Sequence, residues 1–340
     1  MSIGANIRKR RFELRMSQQE LAYILGYKTR STIAKIESGE NDITQKKLQR
    51  FADALDTTVE ALLSGIPADT SKGISKENIV NPDTLDISRP DTSPRPTRPR
   101  TVAIILAGGK SCRNLQNIPS QFIHILGKPV IIYYLEAYQA HPSIDDIYIV
   151  CLKGWEQIMM TYVQQYGISK LKGLIPAAAS GILSVKNGLN YVQDLYSDDD
   201  IIIFQESNRP MVSVDMISKL LQACYEYGNA NICAPMKDYS LYLYKDMKVT
   251  SLDREHTVSR QSPEAYRFSF IRTAFKKAQE LNHPLTENGC TMLLYNLGMD
   301  INFIEGSAYN VKIIHQEDIA IFEALARSRF HDYPVNEHHS

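Results

Sequence analysis

The sequence predicts an all-α head followed by a larger α/β domain with a mostly parallel sheet and helices on both faces. Three observations predict it. Residues 1–65 carry helical periodicity without a single proline. Residues 66–100 then hold six of the fifteen prolines and no aromatic residue. From Thr101 onward, short apolar runs alternate with amphipathic stretches, the pattern of strands joined by crossover helices.

Composition narrows the function classes. The 340 residues are 44% hydrophobic and 22% charged, an ordinary globular balance. No apolar run approaches the ~20 residues of a membrane span. The N-terminal MSIGANIRKRR is cationic but lacks an apolar stretch behind it, so no secretory signal is expected. Cysteines at 112, 151, 224, 233 and 290 form no CxxC pair, which supports neither a disulfide framework nor a zinc site. These features predict a cytoplasmic chain with no membrane partner. The net charge of zero hides an asymmetry: residues 1–50 carry 11 Lys+Arg against 5 Asp+Glu, and the remainder is acidic. A basic head on an acidic body points to a polyanion as the partner of the head.

Within the head, Ser17-Gln18-Gln19-Glu20 fits a capping box, where the two outer side chains satisfy each other's free backbone donors. Leu21 and Ile24 supply the apolar face of that helix, and Gly26 ends it in a left-handed conformation. Thr29 is the next cap, opening a helix over 30–37 with Ile33 and Ile36 inward and Gly39 closing it. Two short helices joined by a tight glycine turn make a helix-turn-helix unit. Residues 6–63 resemble the lambda repressor/Cro-type helix-turn-helix family, most strongly in SQQELA and STIAKIESGE, with Lys28 as one extra residue in the turn. The resemblance implies double-stranded DNA as a partner, with the second helix in the major groove. The base-reading positions fall on Arg30, Ser31 and Lys35, and Gln18 lies against phosphate or base at the neighbouring helix start. Arg30 can take guanine through two parallel hydrogen bonds, and Lys35 can do so as a point charge.

Residues 66–100, ending in SRPDTSPRPTRPR, read as an extended, solvated tether. The α/β domain follows over 101–330, with a tail at 331–340. Its strand candidates are 102–106, 147–151, 201–204, 232–234, 301–305 and 311–314. Helical stretches include 130–138, 184–195, 213–227 and 317–328.

TVAIILAGGKSCR reads as a buried strand, a glycine turn and then cations, a design that lets backbone amides approach phosphates. It is not a Walker A loop, which needs glycine where Ile104 stands, and no third glycine completes a dinucleotide fingerprint. With IPSQFIHILGKPV, SVKNGL, FQESNRP, PMKD, SLDREHTVSRQSPEAY and EGSAYNVKI in this order, the domain resembles the cytidylyltransferases acting on 2-C-methylerythritol 4-phosphate or ribitol 5-phosphate.

The resemblance implies a Rossmann-like nucleotidyltransferase fold with a protruding β-arm over 237–261 that reaches a partner in a homodimer. It also implies that a sugar or alditol phosphate attacks the α-phosphorus of CTP, with Mg2+, and releases pyrophosphate. Such chemistry needs cations and backbone donors and no covalent step. Carried over residue by residue, Ala107, Gly108, Gly109, Arg113, Ser120 and Ser184 fall at nucleotide-binding positions. Catalytic roles fall on Arg113, Lys312 and Glu206, with Glu206 the metal-side carboxylate. Arg254 and Lys312 fall at the acceptor phosphate.

The departures from the family pattern touch charge. Ser120 replaces the lysine of P-K-Q-[FY], Gln205-Glu206 replaces H-D, Ser111 replaces a glycine, and no arginine stands ahead of Ser184-Val185 where the family has R-x-x-S-V. Two readings therefore stand at this point. One is a DNA-binding regulator whose large domain senses a nucleotide or phosphorylated polyol and has lost catalytic power. The other is an active cytidylyltransferase with an appended DNA-binding head.

Overall fold

A computed structural model describes residues 3–14, 16–27, 29–40, 43, 45–64, 98–109, 118–236, 241–245, 248–287 and 289–330. The head comprises α1 (Ile3–Glu13), α2 (Gln18–Ile24), α3 (Arg30–Ser38), α4 (Gln45–Ala54) and α5 (Val59–Ser64). Their apolar faces meet in a core where Ile7, Leu21, Ile33 and Phe51 are fully buried. The capping box forms: the Glu20 amide donates to Ser17 Oγ at 3.1 Å and the Ser17 amide donates to Glu20 Oε2 at 2.7 Å. Gly39 closes α3 with φ 82°.

Two details of the head differ from expectation. Ile24 is exposed, and Leu25 takes the inward position instead. Thr29 precedes α3, but its hydroxyl pairs with Ser31 Oγ at 2.7 Å and caps no amide. Lys28 lies outside the described residues.

The large domain runs β1 (Thr101–Ala107), β2 (His124–Ile125), β3 (Lys128–Pro129), α6 (Val130–Ala140), β4 (Asp146–Cys151), α7 (Glu156–Gln165) and β5 (Leu171–Pro176). It continues with α8 (Gly181–Val192), β6 (Ile201–Glu206), α9 (Val214–Tyr227), β7 (Asn229–Pro235), β8 (Leu241–Lys245), β9 (Lys248–Leu252) and β10 (Val258–Arg267). The last elements are α10 (Phe268–Glu280), α11 (Cys290–Asn296), β11 (Phe303–Glu305) and α12 (Gln316–Phe330).

Seven strands form one sheet in the order β11-β7-β10-β6-β1-β4-β5. Every neighbouring pair is parallel except those of β10, which runs antiparallel to both β6 and β7. Alternate residues feed two cores. Ala103, Ile105, Ile147 and Ile149 pack on one face, and Val102, Ile104, Val150 and Phe204 pack on the other with Ile182 and Leu189 of α8. Strands covered on both faces lose their polar alternation, which is why β1, β4 and β6 read as continuous apolar runs. β8 and β9 pair as a separate antiparallel ribbon with β9 exposed along its length, where the arm is expected.

Two expectations are corrected. Residues 311–314 form no strand; this segment runs beside the end of β6, with the Ile313 amide donating to the Asn208 carbonyl at 2.8 Å. The last residues of the tether are docked, not solvated: Arg98 forks onto Asp145 at 2.9 Å, and Arg100 pairs with Asp146 at 2.6 Å.

Candidate functional site

β1 lies between β4 and β6, and the chain passes from β1 to β4 on one side before returning to β6 on the other. The carboxyl ends of β1 and β6 therefore form a topological switch point, where open parallel sheets leave a crevice. Register sets Leu106 opposite Glu206, so the glycine turn after β1 faces the acidic end of β6. Between them opens a cleft of about 400 Å³.

One wall is the glycine turn. A Cβ at Gly108 would stand 2.4 Å from Ala177 Cβ, so only glycine lets the turn lie this close to the end of β5. Gln121 fixes the turn from behind: its Nε2 donates to the Ala107 carbonyl at 2.8 Å and to the Gly109 carbonyl at 3.2 Å. The second wall is the start of α8. Ser180 Oγ caps it by accepting the Leu183 amide at 3.3 Å, and Ser184 Oγ accepts the Ala178 amide at 3.1 Å. The positive end of a 12-residue helix thus borders the cleft.

The floor is ionic. Glu206 Oε1 accepts Lys312 Nζ at 3.1 Å and Arg260 Nη1 at 3.2 Å, while Oε2 accepts Arg209 Nε at 3.3 Å. Arg260 Nη2 also donates to Glu264 Oε2 at 2.7 Å. Burial acts to raise the pKa of Glu206, but the charges of Arg260, Lys312 and Arg209 outweigh it and hold the carboxyl below its ordinary value. Burial likewise acts to lower Arg260, and its partners Glu264 and Glu206 more than reverse this. Asn310 anchors the Lys312 segment: its carbonyl accepts Arg209 Nη1 at 2.7 Å, and its Nδ2 donates to the Ser262 carbonyl at 2.8 Å.

The structure thus brings Gly108, Gly109, Ser184, Glu206 and Lys312 onto one cleft, with Ala107 just behind it. Ser120 is buried and is not part of the cleft wall. Arg254 sits exposed on the turn after β9 and does not line the cleft of its own chain. Arg113 and Lys110 lie outside the described residues. Gln205 points away from the cleft, accepting the Tyr138 hydroxyl at 3.1 Å. Sequence reading missed Arg260, Glu264 and Gln121 as site residues. The available signal was charge at four-residue spacing, Arg260 and Glu264, inside a stretch that had to be extended to reach Tyr266.

Glu206 is a poor fit for a resident Mg2+, the role expected from sequence. Its two oxygens are engaged by three cations, and among the described residues no group of three His, Cys, Asp or Glu side chains converges.

The head presents a separate surface. Arg30, Ser31 and Lys35 are exposed on α3. Gln18 is tied inward, its Nε2 donating to Glu37 Oε2 at 2.8 Å. Arg11 holds the same carboxylate through two bonds, at 2.6 and 3.0 Å.

The family model for 2-C-methyl-D-erythritol 4-phosphate cytidylyltransferase matches residues 101–328. The chain belongs to this cytidylyltransferase family. A second family model, Helix-turn-helix, matches residues 7–62. The ribitol-5-phosphate cytidylyltransferase of Lacticaseibacillus paracasei is 32% identical over 230 residues, covering 67% of this chain and 98% of that protein. The 2-C-methyl-D-erythritol 4-phosphate cytidylyltransferase of Clostridium botulinum is 30% identical over 223 residues, covering 65% of this chain and 95% of that protein. In fold, the domain matches the 4-diphosphocytidyl-2C-methyl-D-erythritol synthase structure of Anaerococcus prevotii with a TM-score of 0.57 at 21% identity, covering 67% of this chain and 99% of that one. Against the cytidylyltransferase pattern, the two altered cation positions have distinct fates here: Ser120 is buried outside the cleft wall, and Gly181, three residues before Ser184, lines the cleft with no side chain to offer.

Proposed function

We propose that this chain is a DNA-binding regulator whose cytidylyltransferase-family domain binds CTP or a phosphorylated polyol as an effector and is impaired as a catalyst. The charge inventory of the cleft carries this reading. Phosphoryl transfer depends on positive charge aimed at the transferring group. Ser120 and Gly181 supply none, and among the described residues the cations that line the cleft, Arg260 and Lys312, are held by Glu206. Removing one preorganised donor typically costs about 10²–10³ in rate, so two together leave little turnover.

Binding survives these losses. The amides around Gly108 and Gly109 and the start of α8 receive phosphate oxygens, and Lys312 stands beside the α-phosphate. Arg113 adds to the triphosphate site, and Arg254 reaches the acceptor phosphate of a partner subunit across a homodimer. Mg2+ enters with the phosphates of the nucleotide as part of the ligand. The head binds double-stranded DNA through Arg30, Ser31 and Lys35, in the cytoplasm, as one half of a dimer reading two half-sites.

A second reading, a working transferase with a DNA-binding head, is favoured by one observation: similarity to a ribitol-5-phosphate cytidylyltransferase spans 98% of that relative. Pyrophosphate release from CTP, Mg2+ and ribitol 5-phosphate or 2-C-methylerythritol 4-phosphate separates the two. The regulator reading expects negligible release. Turnover on the order of 1 per second or faster establishes the transferase instead.

A further inference from the structure

Arg260 stands in the cleft wall with no part in the roles assigned above. It projects from β10 between two carboxylates, 3.2 Å from Glu206 Oε1 and 2.7 Å from Glu264 Oε2. Its Nε is buried and finds no acceptor among the described residues. Gly289 makes room for it, since a Cβ there would stand 3.1 Å from Nη2. Lys312 shares the same Glu206 oxygen at 3.1 Å, and Arg209 reaches the other at 3.3 Å. Among the described residues three cations therefore face two carboxylates, which leaves one positive charge in excess, and Arg260 keeps guanidinium donors that neither carboxylate takes.

We propose that Arg260 is a phosphate-binding residue of this cleft and that Glu206 is its latch, holding Arg260 and Lys312 until a polyphosphate displaces it. The proposal rests on the reading that the cleft binds a nucleotide or polyol phosphate. A diphosphate group offers more charge and more oxygens than one carboxylate, and Arg260 donates to it through Nη1, the arm that Glu206 releases. Glu264, which is 1% exposed, keeps the Nη2 side of the fork engaged and so fixes its orientation. Lys312 turns from Glu206 to the same ligand. Arg260 thus returns to the cleft a cation that position 120 does not provide. The latch also gives Glu206 a sign opposite to that of a metal ligand: its negative charge opposes binding of an anion that arrives without metal.

Calorimetric titration of the full chain with inorganic pyrophosphate, free of divalent metal, and with CTP tests this. Arg260→Gln alone would leave the buried Glu264 unpaired, so the decisive variant is Arg260→Gln with Glu264→Gln, in which two neutral amides replace the ion pair. The dissociation constant for pyrophosphate rises tenfold or more in that double variant. It rises less in Arg260→Lys, which keeps a charge but loses the fork. In Glu206→Gln it falls several-fold, because the competing anion is gone. A double variant that binds pyrophosphate as tightly as the unaltered chain overturns the role of Arg260, and weaker metal-free binding in Glu206→Gln overturns the latch. An unaltered chain that binds neither pyrophosphate nor CTP overturns the ligand class itself, and with it the reading on which this inference rests.

Discussion

Gln18 donates to Glu37 Oε2 at 2.8 Å, which ties the start of α2 to α3 through the carboxylate that also takes both bonds from Arg11. The Arg11 and Glu37 side chains are 5% and 3% exposed. Buried pairs of this kind are costly to break because the survivor keeps its charge without a partner. Glu37→Ala should therefore destabilise the head by about 3–5 kcal/mol. Calorimetric unfolding of the full chain measures it, and a loss under about 1 kcal/mol would show the pair to behave like an exposed one.

The same tie divides the residues proposed to face DNA into two kinds. Arg30 and Lys35 are exposed on α3 and free to leave the protein surface for a base edge. Replacing each by alanine should cost about 1–3 kcal/mol of binding and relax sequence choice at its base. Gln18→Ala should act through the placement of α2 on α3, weakening binding to all sequences alike. Fluorescence anisotropy on a duplex selected by the full chain, and on single-base variants of it, distinguishes the two patterns.

The ribbon of β8 and β9 leaves Val249 63% and Leu252 41% exposed, apolar surface that a partner subunit would cover. Deleting residues 241–252 should convert a dimer to a monomer in sedimentation velocity. A deletion variant that remains dimeric would place the subunit contact elsewhere.

Burial pulls the His124 imidazole down to about 4. The folded chain keeps this ring neutral, while the unfolded chain takes up a proton below about 6.5. Stability is therefore full above pH 6.5 and declines as pH falls toward 4, by up to about 3 kcal/mol over that window. His141 is lowered as well, by burial and then by Lys170 and Arg98, and adds in the same direction. The urea midpoint should drop between pH 7 and pH 5, and His124→Gln should flatten the drop. An unchanged slope in that variant would show that His124 does not cause the drop.

The parts of the fold that pack on both sheet faces were legible in the sequence, because β1, β4 and β6 bury nearly every side chain. So were the two helices of the helix-turn-helix unit, whose caps at Ser17 and Gly39 follow local rules that need no tertiary context. β10 was not: Arg260, Gln261, Ser262 and Glu264 make it polar, since one strand of the central sheet must both pair and build the ionic floor of the cleft. β5 escaped because it is a half-exposed edge carrying Lys172 and Gly173. The apolar run 311–314 misled for the opposite reason. Asn310 and Asn208 hold it beside the sheet end, and no neighbouring strand pairs with it. At the site, the glycine turn, Glu206 and Lys312 were readable as motif positions. The pairing of Arg260 across strands was not, because it depends on a register that no local pattern encodes.

If the large domain is an effector domain, occupancy of the cleft is felt by the head. The most direct measurement is the affinity of the full chain for its selected duplex, by fluorescence anisotropy at fixed salt, with and without saturating CTP. Two sites that regulate one another must be coupled, and couplings of this kind run to about 5–150-fold in affinity. CTP should shift the duplex affinity at least fivefold, and the shift should disappear in the variant carrying both Arg260→Gln and Glu264→Gln. A duplex affinity that stays the same at saturating CTP, in a chain that demonstrably binds CTP, would contradict the effector reading.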